Sequence, residues 1–493
     1  MSHPTNPTAQ GRDFGSTPYR WYVLITLTAI YTLNFVDRAL LSVLAQPVIS
    51  TFGLTDTEFG FLAGPPFALF YALMGIPIAL AADRYNRVTI ISVCIAIWSL
   101  MTALCGFATG FLFLLIARVG VAIGEAGSTP PSNSLIGDYF RASARAKALA
   151  IFSTGVMLGN TLAYLVGGPL GQMSDESVKA ALEIFGLAQL PEWAGWGTDY
   201  GWRFAFLALG VPGVVFAFIV WLTVREPPRG YADSSDQPKA ERTGISATLR
   251  LLMTKRSYWH MTAGASLVAM VGFGLVGFQA PMMQRLHGMA PGEFALRFGV
   301  PLSVAGALGT LLAGYVIHAL NARTIRIVAI WPAITMALAA PLYILAFNQP
   351  GDRLDLALVL WLLAALLHYG YLGAQYTIGQ GVVPASSRAS SIAIMLFIIA
   401  LVGNGLGPQI VGLMSDSFMT AGLETRGVGD SLSVAACNPK AMVALPLEQQ
   451  AICSAVYAEG LRNSMSLMAL FMLPAAWFFY LSSRTLDREM LAR

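Results

Sequence analysis

The chain has 493 residues, of which 56% are apolar and 11% charged, with a net charge of +4. Soluble domains carry about 25% charged residues, so so few charges could not cover a water-facing surface. The mean hydropathy of +0.63 agrees. The apolar residues come in blocks long enough to cross a hydrocarbon core of about 30 Å. In chain order these predict spans near 21–46, 58–82, 88–109, 111–137, 148–173, 202–224, 258–285, 295–319, 325–347, 354–382, 389–415 and 460–482. The polar stretch Met1 to Pro18 has no apolar core of its own, so no signal peptide is expected and span 1 would serve as the insertion signal.

The blocks sort into a tail (1–20), a six-helix bundle (21–224), a linker (225–257), a second six-helix bundle (258–483) and a second tail (484–493). The N-terminus and the even-numbered loops carry 20 of the 30 lysines and arginines, and the odd-numbered loops carry 8. By the positive-inside rule both termini are cytoplasmic, in an inner or plasma membrane. Lys239, Arg242, Lys255 and Arg256 make the linker strongly charged. Trp193, Trp196 and Trp202 point to an interfacial stretch between spans 5 and 6. Cys437 and Cys453 share the loop before span 12, where a disulfide is open to either answer. Cys94 and Cys105 in span 3 are packing residues.

The halves repeat. Ala142-Ser143-Ala144-Arg145-Ala146 returns as Ala385-Ser386-Ser387-Arg388-Ala389, an offset of 243. Gly171-Gln172-Met173-Ser174-Asp175 returns as Gly412-Leu413-Met414-Ser415-Asp416, an offset of 241. Span 5 therefore corresponds to span 11 in the same orientation, as in transporters built from parallel halves.

These features resemble the major facilitator superfamily. Ala79 to Arg87 (ALAADRYNR) is similar to its G-x-x-x-D-R-x-x-R loop, with Ala79 in place of the first Gly. The counterpart Gly314 to His318 has His where Asp is usual. Arg118 to Ala126 (RVGVAIGEA) resembles the span-4 signature, and Gly168-Pro169 and Gly407-Pro408 the Gly-Pro kink motif. Asn34-Phe35-Val36-Asp37-Arg38, taken with the span-4 run, is similar to the spinster lipid transporters. The resemblance implies an all-α membrane protein of twelve transmembrane helices in two pseudo-symmetric halves. It also implies proton-linked transport of sphingosine-1-phosphate or a lysophospholipid. An N-x-x-D-R in span 1 also occurs in anion:cation symporters, so a small organic anion stays open as cargo.

Asp37, Arg38, Arg118 and Glu125 fall deep in spans 1 and 4. Each costs at least about 2.5–3.5 kcal/mol at mid-helix on insertion scales, so such residues are usually paired and functional. Fixing helix packing is the plainer alternative. Asp37 lies about 25 Å from the entry of span 1 and Arg118 about 12 Å from the far end of span 4, at 1.5 Å per residue. These depths bring Asp37 level with Arg118, and Glu125 lies two turns further along the same face. Desolvation favours a neutral carboxylate and a nearby arginine a charged one, so an arginine changing partners switches proton affinity. Asp37 and Glu125 are thus the expected proton carriers, with Arg118 and Arg38 their partners.

The resemblance gives Asp83, Arg84, Arg87 and Asp138 a gate role at the cytoplasmic side. Their plainer reading is charge anchoring. Candidate substrate contacts are Arg38, Arg118, Asn34, Asn160, Tyr164, Gln279, His368, Tyr369, Gln375, Tyr376 and Asn404, and helix-packing hydrogen bonds explain polar residues of this kind equally well. No phosphate loop, zinc pattern or nucleophile elbow occurs in the sequence. The expectation is a monomeric carrier without cofactor or metal, not an enzyme, meeting a small molecule, protons and membrane lipids, but no nucleic acid.

Overall fold

A computed structural model describes residues 13–232, 245–321 and 324–491. Arg12, Lys239, Arg242, Arg323 and Arg493 of the charge tally lie outside the described residues, as does part of the linker. The described residues form helices joined by turns and loops, with no strand among them. Twelve helical stretches are long and apolar enough to span a bilayer: Thr17–Val43, Asp56–Arg84, Arg87–Cys105, Phe111–Tyr139, Ser143–Gly171, Tyr200–Thr223, Arg256–His287, Pro291–Leu320, Ile327–Phe347, Gly351–Gly381, Arg388–Thr425 and Leu447–Glu489. They are numbered spans 1 to 12.

The last span starts thirteen residues earlier than hydropathy places it. Glu448, Glu459 and Arg462 break the apolar run there without breaking the helix. The extra turns are held by a disulfide between Cys437 and Cys453. They are also held by a cluster of Met419, Leu423, Leu432, Val456 and Tyr457. Trp196 and Trp202 pack inside the protein, leaving Trp193 as the exposed indole of the three. Trp202 Nε1 donates to Thr51 Oγ1 at 3.1 Å, a partner that hydropathy does not reveal.

The repeat seen in the sequence has a structural counterpart. Span 5 opens into a wide π turn at Ala163–Gly167, and span 11 at Leu401–Leu406. Each turn precedes a Gly-Pro pair. Proline lacks an N–H and its ring crowds the carbonyl four residues back. Those carbonyls belong to Leu165 and Asn404, inside the two wide turns, so the proline accounts for each widening.

The chain divides into two compact units. Unit 1 comprises Met1–Leu40, Phe70–Ala163 and Arg203–Ala240, and unit 2 comprises Leu41–Leu69, Tyr164–Trp202 and Glu241–Arg493. In unit 1, span 4 packs closely on span 3. A Cβ on Gly124 would fall 2.7 Å from Trp98. In unit 2, the first turns of span 2 lie against span 11 almost backbone to backbone. A Cβ on Gly412 would meet the Asp56 carbonyl at 2.1 Å.

Candidate functional site

Span 4 is interrupted where its chemistry sits. The helix Phe111–Glu125 ends, and a new one, Thr129–Tyr139, begins with Pro130 and Pro131 in its first turn. Glu125 closes the first segment and is fully buried. Its Oε2 accepts from Arg38 Nε at 2.6 Å. The Arg38 guanidinium also lies over the rings of Tyr71, at 4.5 Å, and Phe35, at 5.2 Å. The cation is thus held by one carboxylate and two π faces. Asp37 and Arg118 are buried beside this pair. Arg118 is near enough to act electrostatically on both Asp37 and Glu125, and Thr102 of span 3 adjoins Asp37. Asn34 Nδ2 reaches Ser128 Oγ at 3.4 Å, in the interruption itself, and Ser128 Oγ donates to the Glu125 carbonyl at 3.0 Å.

The depth estimate led to Asp37 with Arg118. The structure adds an ion pair between Arg38 and Glu125. Arg38 is turned about 100° from Asp37 on the same helix, and that rotation carries its long side chain to the break in span 4. All four charges nonetheless gather in unit 1, as their shared depth implied.

A second cluster of unit 1 lies where the start of span 3, the end of span 4 and the chain leaving span 6 meet. Arg87 Nη1 donates to Asp138 Oδ2 at 2.5 Å and to Ser134 Oγ at 2.8 Å, and its Nε donates to Glu226 Oε1 at 2.6 Å. Its Nη2 donates to the Pro227 carbonyl at 3.1 Å. Asp138 also accepts from the Gly230 N–H at 2.9 Å. The strand of chain leaving span 6 is thereby strapped across the ends of spans 3 and 4. Glu226 escaped the sequence reading because a Glu-Pro-Pro after a span looks like ordinary linker. Asp83 and Arg84 are exposed. Of the four expected gate residues, Arg87 and Asp138 are therefore the two that meet.

A third cluster lies wholly within unit 2. The turn between spans 1 and 2 is built by Gly53 in the left-handed conformation, φ 67°, followed by a capping box of Thr55 and Glu58. It delivers Asp56, fully buried, to Arg285 of span 7. Both contacts of this fork-to-fork pair measure 2.7 Å. Ser415 Oγ donates to Asp56 Oδ2 at 2.6 Å, and Arg285 Nε to Gln46 Oε1 at 2.8 Å. Asp416 accepts from the N–H groups of Asp56 and Thr57, at 3.2 and 2.9 Å. The Tyr457 ring covers the guanidinium, 3.6 Å away. Asp56 and Arg285 sit at span ends, where charges are expected to be solvated, so nothing marked them in the sequence. The repeated Ser415-Asp416 motif was the available signal.

The remaining candidates divide by unit. Asn160 of unit 1 is half-buried. In unit 2, Tyr164 and Gln279 are buried and hydrogen-bonded to each other. His368 is buried with Nδ1 3.2 Å from the Tyr343 hydroxyl, a satisfied core histidine. Gln375 is buried, Tyr369 and Asn404 are half-buried, and Tyr376 is exposed.

Residues 27–408 match the model of the Major Facilitator Superfamily. The chain belongs to that superfamily, in its spinster branch. It is similar to the crystal structure of a bacterial homolog to the human lysosomal transporter spinster, in an inward-facing and unoccupied conformation. The identity is 45%, with coverage of 97% of this chain and 100% of that one and a TM-score of 0.89. It is 32% identical to an MFS-type efflux pump of Mycolicibacterium smegmatis over 84% of this chain and 88% of the pump. It is 24% identical to the sphingosine-1-phosphate transporter of Danio rerio over 78% of this chain and 74% of that protein. This spinster-type protein is a multi-pass membrane transporter of small molecules, not an enzyme. The fold, the twelve spans and the family expected from the sequence hold.

Proposed function

We propose that this chain is a proton-coupled, alternating-access carrier of an amphiphilic, lipid-like substrate with an anionic or zwitterionic head, such as sphingosine-1-phosphate or a lysophospholipid. It works as a monomer in the inner or plasma membrane, with both termini in the cytoplasm. The observation that carries this reading is the pairing of Arg38 with the fully buried Glu125, with buried Asp37 and Arg118 beside it. A proton arriving at Glu125 removes the charge that holds Arg38. The freed guanidinium can then take an anionic head through its fork, and loss of the proton returns it to Glu125. Asp37, with Arg118 within electrostatic reach, relays the proton. The relative from Danio rerio supports a phosphate-bearing lipid as cargo, and the positive-inside balance supports the orientation.

In this cycle the Asp56–Arg285 pair closes the outer side and the Arg87 cluster braces the cytoplasmic side. The test is transport by purified protein in liposomes under a pH gradient. Labelled lysophospholipid or sphingosine-1-phosphate is compared with short organic anions. The expected result is uptake of the lipid that responds to the gradient and is lost in Arg38→Ala and Arg118→Ala. Saturable transport of the short anions alone would replace the lipid with a small anion. Cysteines introduced at Ser235 and Thr425, in a background lacking the native four, test the topology. In intact cells an impermeant reagent should reach position 425 and spare position 235.

A further inference from the structure

The loop before span 12 has no role in the proposed cycle, yet it touches the outer gate at two points. The segment 426–446 is folded rather than strung out. The Cys437–Cys453 disulfide closes a loop of sequence separation 16, and both sulfurs are buried in the cluster that also contains Leu423, Leu432 and Tyr457. Asn438, next to Cys437, caps the short helix Pro439–Met442 by accepting from the N–H groups of Lys440 and Ala441, at 2.8 and 3.1 Å. Its Nδ2 donates to the Gly53 carbonyl, in the turn that presents Asp56. The turn and the asparagine fit closely, since a Cβ on Gly53 would stand 3.0 Å from Nδ2. The second contact comes from the other cysteine. Cys453 lies one helical turn before Tyr457, whose ring covers Arg285. One sulfur thus adjoins the residue that grips the turn carrying Asp56, and the other lies a turn from the ring that covers Arg285.

We propose that Asn438 and the Cys437–Cys453 disulfide are positioning residues for the outer gate. They hold the turn between spans 1 and 2 and the Tyr457 ring in register, so that Asp56 and Arg285 meet fork to fork. This rests on the reading of Asp56–Arg285 as the gate. A local clasp of this kind sets how often the outer side opens, because elements held by few contacts open at free energies well below global unfolding.

The test uses the full chain with Cys94 and Cys105 replaced by alanine and Phe59→Cys as reporter. Phe59 is fully buried on the first turns of span 2, its ring 5.5 Å from that of Phe278 in span 7. An impermeant maleimide applied from the outer side reads opening as a labelling rate. Arg285→Ala in this background is the gate control and should label faster. Asn438→Ala should raise the rate about fivefold, as the loss of one hydrogen bond shifts an opening equilibrium. Cys437→Ala with Cys453→Ala should raise it further. Adding Asn438→Ala to Arg285→Ala should change nothing more, because the asparagine acts through the pair. If Arg285→Ala labels no faster than the parent, the gate reading is wrong. If it labels faster while the Asn438 and cysteine variants stay at the parent rate, the positioning role alone is wrong. Full additivity of Asn438→Ala on Arg285→Ala would also overturn it, since general loosening adds where positioning through the pair does not.

Discussion

Two arginine pairs, each on a fully buried carboxylate, differ in how many donors the carboxylate receives. Asp56 in unit 2 has both oxygens taken by Arg285, and one of them also by Ser415. Glu125 in unit 1 receives Arg38 on Oε2, while among the described residues no hydrogen-bond donor reaches Oε1. An ionised carboxylate offers about four acceptor sites. Asp56, with three donors spread over both oxygens, is therefore a clasp of several bonds. Glu125 has one oxygen engaged by Arg38 and one left for a further donor or a proton in the proposed cycle. In the proposed cycle the first arrangement suits the gate and the second suits the coupling site.

Breaking the clasp should have the largest effect. Removing one partner of a buried pair leaves an uncompensated buried charge, which costs about 3–5 kcal/mol. Asp56→Ala should lower thermal stability by that order, measured as a drop in Tm of purified protein. Asp56→Asn with Arg285→Gln should recover much of it, because no charge is then stranded. Equal Tm values for Asp56→Ala and the parent would show that the pair is not a clasp.

Glu125→Gln sharpens the other side of the comparison. The amide keeps the size of the side chain and an acceptor for Arg38 but cannot carry a proton. The expected outcome is substrate binding near that of the parent with loss of gradient-driven transport, and Asp37→Asn should act alike. Transport that keeps its pH dependence in both variants would remove the coupling role. The stability change should be smaller than for Asp56→Ala, since Glu125 has fewer bonds to lose.

What the sequence disclosed follows from this same contrast. Asp37, Arg38, Arg118 and Glu125 stand in the middle of apolar runs, where any charge is conspicuous. Asp56, Arg285 and Glu226 stand at span ends, where charges are ordinary, so their partners depend on packing that no single sequence displays. Span 12 was placed short for a related reason. Hydropathy measures contact with lipid, whereas the turns from Leu447 are held by a disulfide and by protein neighbours. The two π turns were implied by the repeated Gly-Pro pairs, although the widening needs coordinates to be seen.

Gly53→Ala tests the delivery of Asp56 at intermediate size. An alanine in the left-handed conformation costs about 1–2 kcal/mol, and here its Cβ would also crowd Asn438. A modest fall in Tm is expected, together with faster outer-side labelling of the Phe59→Cys reporter. An unchanged Tm would mean that the turn relaxes at no cost and that its conformation does not position the pair.

The smallest stability effect is expected from Arg84→Ala, and its contrast with Arg87→Lys is informative. The two arginines stand three residues apart in one loop signature. Arg87 is buried and divides its fork between Asp138, Ser134, Glu226 and the Pro227 carbonyl. A lysine there offers one compact charge and cannot span that set, so Arg87→Lys should lower Tm. Arg84 is exposed, and surface changes away from caps and networks scarcely alter stability. Its replacement should leave Tm at the parent value. A gate role for Arg84 would then appear as a change in transport rate alone, because the residue would act in a conformation other than the one described here. If Arg84→Ala leaves both Tm and transport at parent values, the loop's function lies with Arg87 and its partners, and Arg84 serves as a charge at the membrane surface.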